Sequence, residues 1–362
     1  VPIDKLPLPA SALLRAGEWL LRSGIQEPSG GVARYYLVAE SRNLPVSTEI
    51  TGYAASAFAY LARLTGDERY HVAALRTADF LILQAWNPQL ETFPFELSPG
   101  SPSYFFDCGI IIRGLLAVAR LTRQPQYVEI ASVAGLSMAR DFLTPTAIHP
   151  VVALPSLAPL PYENRWSRQP GCFQLKSALA WLKLARITGD TRYEQWWEQA
   201  LAQALASWDS FIPGTAERLA VMDRLHAHCY FLEALLAVPA RAECARVLAA
   251  GIAKTASYLR ELAPEFVRSD VYAQLLRVRL FADAYGVLPL DAAAAADEAA
   301  AVASFQYRSA DTRLDGGFAF GRRGAELLPF ANPVSTVFCL QALEMWREHQ
   351  ARRFEPDLDS LI

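Results

Sequence analysis

Two apolar patterns alternate along the chain. One is apolar on nearly every side. From Tyr104 to Leu121, the residues Ile110, Ile111, Ile112, Leu115, Leu116, Val118 and Leu121 leave almost no polar face, as in a helix buried all round. The other is one-sided. From Tyr193 to Trp208, the residues Tyr193, Trp196, Trp197, Leu201, Leu205 and Trp208 recur at helical spacing, with Glu194, Glu198, Gln199 and Gln203 off that face. Such a helix packs on one side and meets water on the other. The one-sided pattern predicts helices over 11–23, 68–86, 126–143, 191–210, 240–262 and 290–307, with Ser11 as the first N-cap. The all-round pattern predicts helices over 49–64, 104–121, 171–187, 224–237, 269–286 and 333–349.

Between the two members of a pair lies a recurring turn. Leu64-Thr-Gly-Asp-Glu-Arg-Tyr70 matches Ile187-Thr-Gly-Asp-Thr-Arg-Tyr193 and, more loosely, Leu121-Thr-Arg-Gln-Pro-Gln-Tyr127. Echoes at this spacing mark an internal repeat. A helical hairpin cannot bury its own apolar face, and six of them satisfy one another by closing into a ring. The expectation is therefore one all-α domain over 1–362, an (α/α)6 toroid with six buried helices inside and six amphipathic helices outside.

Loops leading from outer to inner helices are long: Ile25–Thr48, Asn87–Ser103, Thr144–Pro170 and Arg308–Asn332. Long loops in a compact domain usually carry function. Thr144–Pro170 holds six prolines and reads either as a stiff lid or as an ordered surface loop.

The six hairpins, the Thr-Gly-Asp-x-Arg-Tyr turns, the Asp315-Gly316-Gly317-Phe318 segment and Asn332-Pro333-Val334 before the last inner helix together resemble the six-hairpin glycosidase-like (α/α)6 toroid superfamily. The resemblance covers nearly the whole chain. It implies the toroid and a site at the N-terminal ends of the inner helices. It also implies chemistry on carbohydrate, since the superfamily includes glycoside hydrolases, polysaccharide lyases and sugar epimerases.

Composition narrows the partners. Of the residues, 52% are hydrophobic and 20% charged, with net charge −3, so a large core forms and no basic block invites nucleic acid. No window long enough to span a bilayer lacks charge. The five cysteines, Cys108, Cys172, Cys229, Cys244 and Cys339, form no CxxC pair and read as buried hydrophobes of a reducing, cytoplasmic compartment. The residues 1–11 do not form a signal peptide. No cofactor and no metal is expected. His226 and His228 are two apart on a helix and diverge, which disfavours a zinc site. The chain is expected to act as a monomer or weak homodimer on an oligosaccharide or polysaccharide.

Long loops deliver polar residues to the inner-helix N-termini, where backbone N–H groups are free. Glycoside cleavage needs two carboxyl groups, one protonated and one ionised. The candidates are Asp107, Asp270 and Glu49. Asp107 and Asp270 also read as helix-dipole partners. His226 is the candidate proton-transfer group. It shares a helix face with Asp223, Tyr230 and Glu233 at three- and four-residue steps, and Glu233 reads as structural. Substrate-binding candidates are Tyr53, Tyr104, Trp166, Gln174, Lys176, Asp223, Arg224, His228, Tyr230, Phe318 and Asn332. Lys176, Arg113 and Arg224 would suit a uronate carboxylate.

Three functions fit. The first is a glycoside hydrolase using paired carboxylates. The second is a lyase or epimerase using His and Tyr as acid and base. The third is a non-catalytic glycan-binding module, because fold does not fix function. No HExxH, GxSxG, P-loop or Rossmann signature is present.

Overall fold

The computed structural model describes residues 8–212 and 218–362. Among them are twelve α-helices: α1 (Leu8–Arg22), α2 (Thr48–Thr65), α3 (Glu68–Phe80), α4 (Phe105–Thr122), α5 (Pro125–Phe142), α6 (Leu175–Thr188), α7 (Thr191–Phe211), α8 (Arg218–Leu235), α9 (Ala242–Leu262), α10 (Ser269–Ala284), α11 (Ala292–Ala303) and α12 (Pro333–Gln350). The even-numbered helices are those predicted buried and the odd-numbered those predicted one-sided. Two starts differ. α1 begins at Leu8, so Ser11 lies within the helix rather than capping it. α8 begins at Arg218, six residues early, because Val221, Met222 and Leu225 carry the helical spacing through Asp223.

The recurring turn has a physical reason. Gly66 and Gly189 adopt left-handed backbone at φ 68° and 74° and end α2 and α6. Asp67 Oδ1 then accepts from Arg69 N at 2.9 Å, and Asp190 Oδ1 from Arg192 N at 3.0 Å. A left-handed cap followed by an Asp N-cap reverses the chain in two residues. In the looser copy Arg123 takes the left-handed position at φ 62°. All three turn tyrosines, Tyr70, Tyr127 and Tyr193, are buried.

By contact density the chain divides into two compact units. One comprises Gln26–Arg34 and Pro45–Phe211 and holds α2 to α7. Here α4 packs against α2, α5 and α6. Glycines allow the approach: a Cβ on Gly114 would lie 2.4 Å from the Gly52 carbonyl oxygen, and one on Gly109 would lie 2.5 Å from that of Ser177. Two strands, β3 (Ser103–Tyr104) and β4 (Val151–Val152), pair antiparallel and lead into α4. Thr144–Pro170 is thereby strapped down: Leu160 N donates to Val151 O at 3.0 Å, and His149 stacks on Tyr162 at 5.0 Å.

The other unit comprises Val1–Ile25, Tyr35–Leu44 and Ile212–Ile362, with α1 and α8 to α12. Here α10 lies against α8, α11 and α12. Two three-stranded sheets were not anticipated. β1 (Tyr36–Leu37) pairs with β2 (Arg42–Asn43) and with β8 (Phe330–Ala331), the last leading into α12. β5 (Phe266–Arg268), leading into α10, pairs with β6 (Gly321–Arg323), which pairs with β7 (Glu326–Leu327). In its core Arg277 and Glu233, both fully buried, form an ion pair, and Arg277 Nη1 donates to Gln341 Oε1 at 2.9 Å. Glu233 is thus structural, as its depth in the helix indicated. All five cysteines are buried and outside any disulfide.

Candidate functional site

Each unit gathers its own set of polar groups where strands hand over to buried helices. In the α2–α7 unit, Glu49 lies in the first turn of α2 and Asp107 in the first turn of α4. Asp107 is 6% exposed and its Oδ2 has no hydrogen-bond partner among the described residues. Burial, and then the charge of Glu49, pushes the Asp107 carboxyl well above the usual carboxylate range. Burial likewise raises Glu49 to about 7. Two carboxyls that feel each other where burial disfavours charge resist ionising together.

Other predicted residues belong to the same unit. Tyr53 is buried one helical turn beyond Glu49. Tyr104, the residue preceding α4, packs edge-on to Phe95 at 5.7 Å and lies under the Arg168 guanidinium at 5.6 Å. Trp166 meets Phe173 edge-on at 5.0 Å, and Phe173 meets Phe106 at 5.8 Å, so an aromatic chain runs from the proline-rich loop to the neighbour of Asp107. Lys176 is fully buried in the first turn of α6. Gln174 precedes it, accepting from Gly171 N through Oε1 at 3.2 Å while its Nε2 has no partner among the described residues.

In the unit of α1 and α8–α12, His226 from α8 faces α10. Its Nδ1 lies 2.8 Å from Gln274 Oε1 and 3.5 Å from Asp270 Oδ2. Both are acceptors, so Nδ1 carries the proton and Nε2 the lone pair. Burial and the Arg268 charge lower the His226 pKa to about 4, against the pull of Asp270. Asp270 is in turn gripped by Arg268: Nε donates to Oδ1 at 3.0 Å and Nη2 to Oδ2 at 2.7 Å. Burial alone would raise Asp270, but Arg268 and His226 bring it below the ordinary value. It is held ionised and is not a proton donor. Arg268 also donates to Asp223 at 2.8 Å and lies over Phe320 at 4.3 Å. Tyr230 stands edge-on to His226 at 4.5 Å.

The remaining candidates are placed elsewhere. Arg224 is half-buried on α8. His228 is fully buried and bonds Thr255 of α9 at 3.0 Å, facing away from His226. Phe318 is fully buried, its backbone N donating to Thr336 Oγ1, so its ring belongs to the core. Asn332 caps α12 by accepting from Ser335 N at 3.1 Å. Arg268 escaped the sequence reading. Its only signal is an arginine two residues ahead of a helix-opening aspartate, the i,i+2 pairing of the recurring turn in reverse order.

Buried polar atoms without partners are expensive, about 1–3 kcal/mol each. Among the described residues, Ser47 Oγ, Asp107 Oδ2 and Gln174 Nε2 in one unit, and Gln274 Nε2 and Ser335 Oγ in the other, are of this kind. They lie at or near the first turns of buried helices, where hydroxyl-rich ligands or water would satisfy them. Among the described residues no group of three His, Cys, Asp or Glu side chains could hold a metal. No helix among them is long and apolar enough to cross a membrane.

No family model matches the chain, and no curated protein matches its sequence. Solved structures do match its fold. A sugar epimerase from a ruminal bacterium superposes with TM-score 0.69 at 10% identity, covering 95% of this chain and 99% of that one. The fold is the (α/α)6 toroid. Cellobiose 2-epimerase from Spirochaeta thermophila gives TM-score 0.69 at 13% identity, covering 94% and 96%. Unsaturated glucuronyl hydrolase from Bacillus sp. GL1 gives 0.66 at 13%, covering 93% and 96%. The six-hairpin resemblance in the sequence is borne out at the level of fold.

Proposed function

We propose that the chain is a carbohydrate-active enzyme, a glycoside hydrolase that uses Glu49 and Asp107 as its carboxyl pair on an oligosaccharide. What supports this is the raised proton affinity of two carboxyls set in the first turns of α2 and α4. A hydrolase needs one carboxyl protonated at neutral pH to give its proton to the glycosidic oxygen. It needs a second, ionised, to stabilise the oxocarbenium-like carbon or activate water. Raised proton affinity on two neighbouring carboxyls supplies both states from one pair. Tyr104 and Trp166 offer apolar ring surface for sugar, and Gln174 Nε2 offers a donor for a hydroxyl. The structural likeness to proteins described as a glucuronyl hydrolase and sugar epimerases supports a sugar substrate.

One observation favours a second reading, proton abstraction by an epimerase or lyase: the His226 imidazole is neutral, with Nε2 as lone-pair acceptor. With a pKa near 4 it is a weak base at neutral pH, since efficient bases titrate near the working pH. The hydrolase reading therefore stands first.

The test is product identity. The protein is incubated with neutral and uronate-containing oligosaccharides, and three signals are followed: new reducing ends, ultraviolet absorbance of unsaturated uronates, and solvent deuterium incorporated beside the sugar carbonyl. New reducing ends without unsaturated product support hydrolysis. Unsaturated product or deuterium alone replaces it with the second reading, and binding without any of the three makes the chain a glycan-binding module.

A further inference from the structure

We propose that Arg268 is a positioning residue for His226: it fixes Asp270 beside the imidazole, so that His226 keeps its proton on Nδ1 and Nε2 remains an acceptor. The inference concerns this side-chain relay and stands apart from the role assigned to Glu49 and Asp107.

The geometry is that of a relay. β5 ends at Arg268 and α10 begins one residue later, which brings arginine and aspartate together at the strand-to-helix junction. The planar guanidinium matches the carboxylate edge with two parallel hydrogen bonds, and its third nitrogen is tied to Asp223 of α8. Arg268 is thus held at both ends, and Asp270 has little freedom to rotate. Asp270 Oδ2, already accepting from Arg268, lies 3.5 Å from His226 Nδ1, with Gln274 Oε1 at 2.8 Å from the same nitrogen. An ionised carboxylate and an amide oxygen facing one nitrogen favour N–H there.

Several described groups face His226. α8 contributes the Tyr230 ring and Asp223, β5 contributes Arg268, α10 contributes Asp270 and Gln274, and α12 contributes the Phe338 ring at 6.5 Å. Arg268 and Asp270 therefore act on the imidazole with opposite signs. The arginine opposes its protonation and the aspartate favours it. Those opposite responses report charge at the imidazole, whereas the neutral tautomer reports whether Asp270 is held against Nδ1.

The experiment is long-range ¹H–¹⁵N NMR of the histidine-labelled full chain across pH, with His226 assigned by its loss in His226→Gln. In the wild type the predicted spectrum shows neutral His226 protonated on Nδ1 and uncharged down to about pH 5. Arg268→Gln removes the opposing charge and frees Asp270, so the midpoint rises by about one pH unit or more. Asp270→Asn removes the attraction, so the midpoint falls or stays below the accessible range, and the two neutral tautomers mix. Arg268→Lys retains the charge without the fork and is predicted to keep a low midpoint with mixed tautomers. If loosening alone were at work, every folded variant would hydrate the imidazole and raise its midpoint. That outcome, or a wild-type spectrum with the neutral proton on Nε2, overturns the proposal even where one variant fails to fold.

Discussion

Glu49, in the first turn of α2, adds its charge to burial in raising the proton affinity of Asp107, in the first turn of α4. The pair is destabilising wherever both ionise, and the sign of its effect on stability follows. A carboxyl whose folded pKa is raised, here Glu49 from 4.5 to about 7, binds more protons folded than unfolded between those values. Stability is then greatest below the window and falls as pH rises through it. Glu49→Gln removes the Glu49 share of the fall, leaving that of Asp107. Calorimetric melting should show the variant more stable than wild type at pH 8 and equal to it at pH 4, while sugar turnover is lost. A variant less stable than wild type at pH 8 would contradict the raised pKa.

The meeting of α2 and α4 depends on absent side chains. A methyl on Gly114 would sit 2.4 Å from the Gly52 carbonyl oxygen, a backbone atom with nowhere to retreat. Gly114→Ala is predicted to cost about 1–3 kcal/mol, the usual range for an overpacked core. By separating the helices it should also lower the Glu49 pKa toward its ordinary value. Urea unfolding and a pH titration of the variant check both.

Glu233 and Arg277 neutralise each other at full burial. Glu233→Leu leaves the guanidinium uncompensated and should cost about 3–5 kcal/mol. Replacing both with leucine should recover most of that loss. A double-mutant cycle in urea measures the difference, and a single variant no worse than the double would mean the pair contributes nothing.

The helices were legible because burial all round and burial on one side write different patterns, and the Tyr104–Leu121 and Tyr193–Trp208 stretches show each without ambiguity. The turn repeat was legible because a left-handed glycine and an Asp cap are local. The strands were not. β1 and β8 are two residues each and lie far apart in the chain, so neither carries a period of its own. Glu49 and Asp107 could be named from their places at helix starts, but their coupling depends on how closely α2 and α4 approach. Arg268 was invisible because its role arises only when a strand end, a helix start and α8 converge. Phe318 and His228 carried the right chemistry for a binding site, but folding turned both into core.

The central claim, that Glu49 and Asp107 share the proton used in catalysis, is tested most directly by the pH dependence of reducing-end release by wild type and Asp107→Asn. The account predicts a wild-type rate that declines as pH rises past about 7. It predicts that the folded variant runs slower by on the order of 10²–10⁴ at every pH. A folded Asp107→Asn protein that releases reducing ends at the wild-type rate would contradict it.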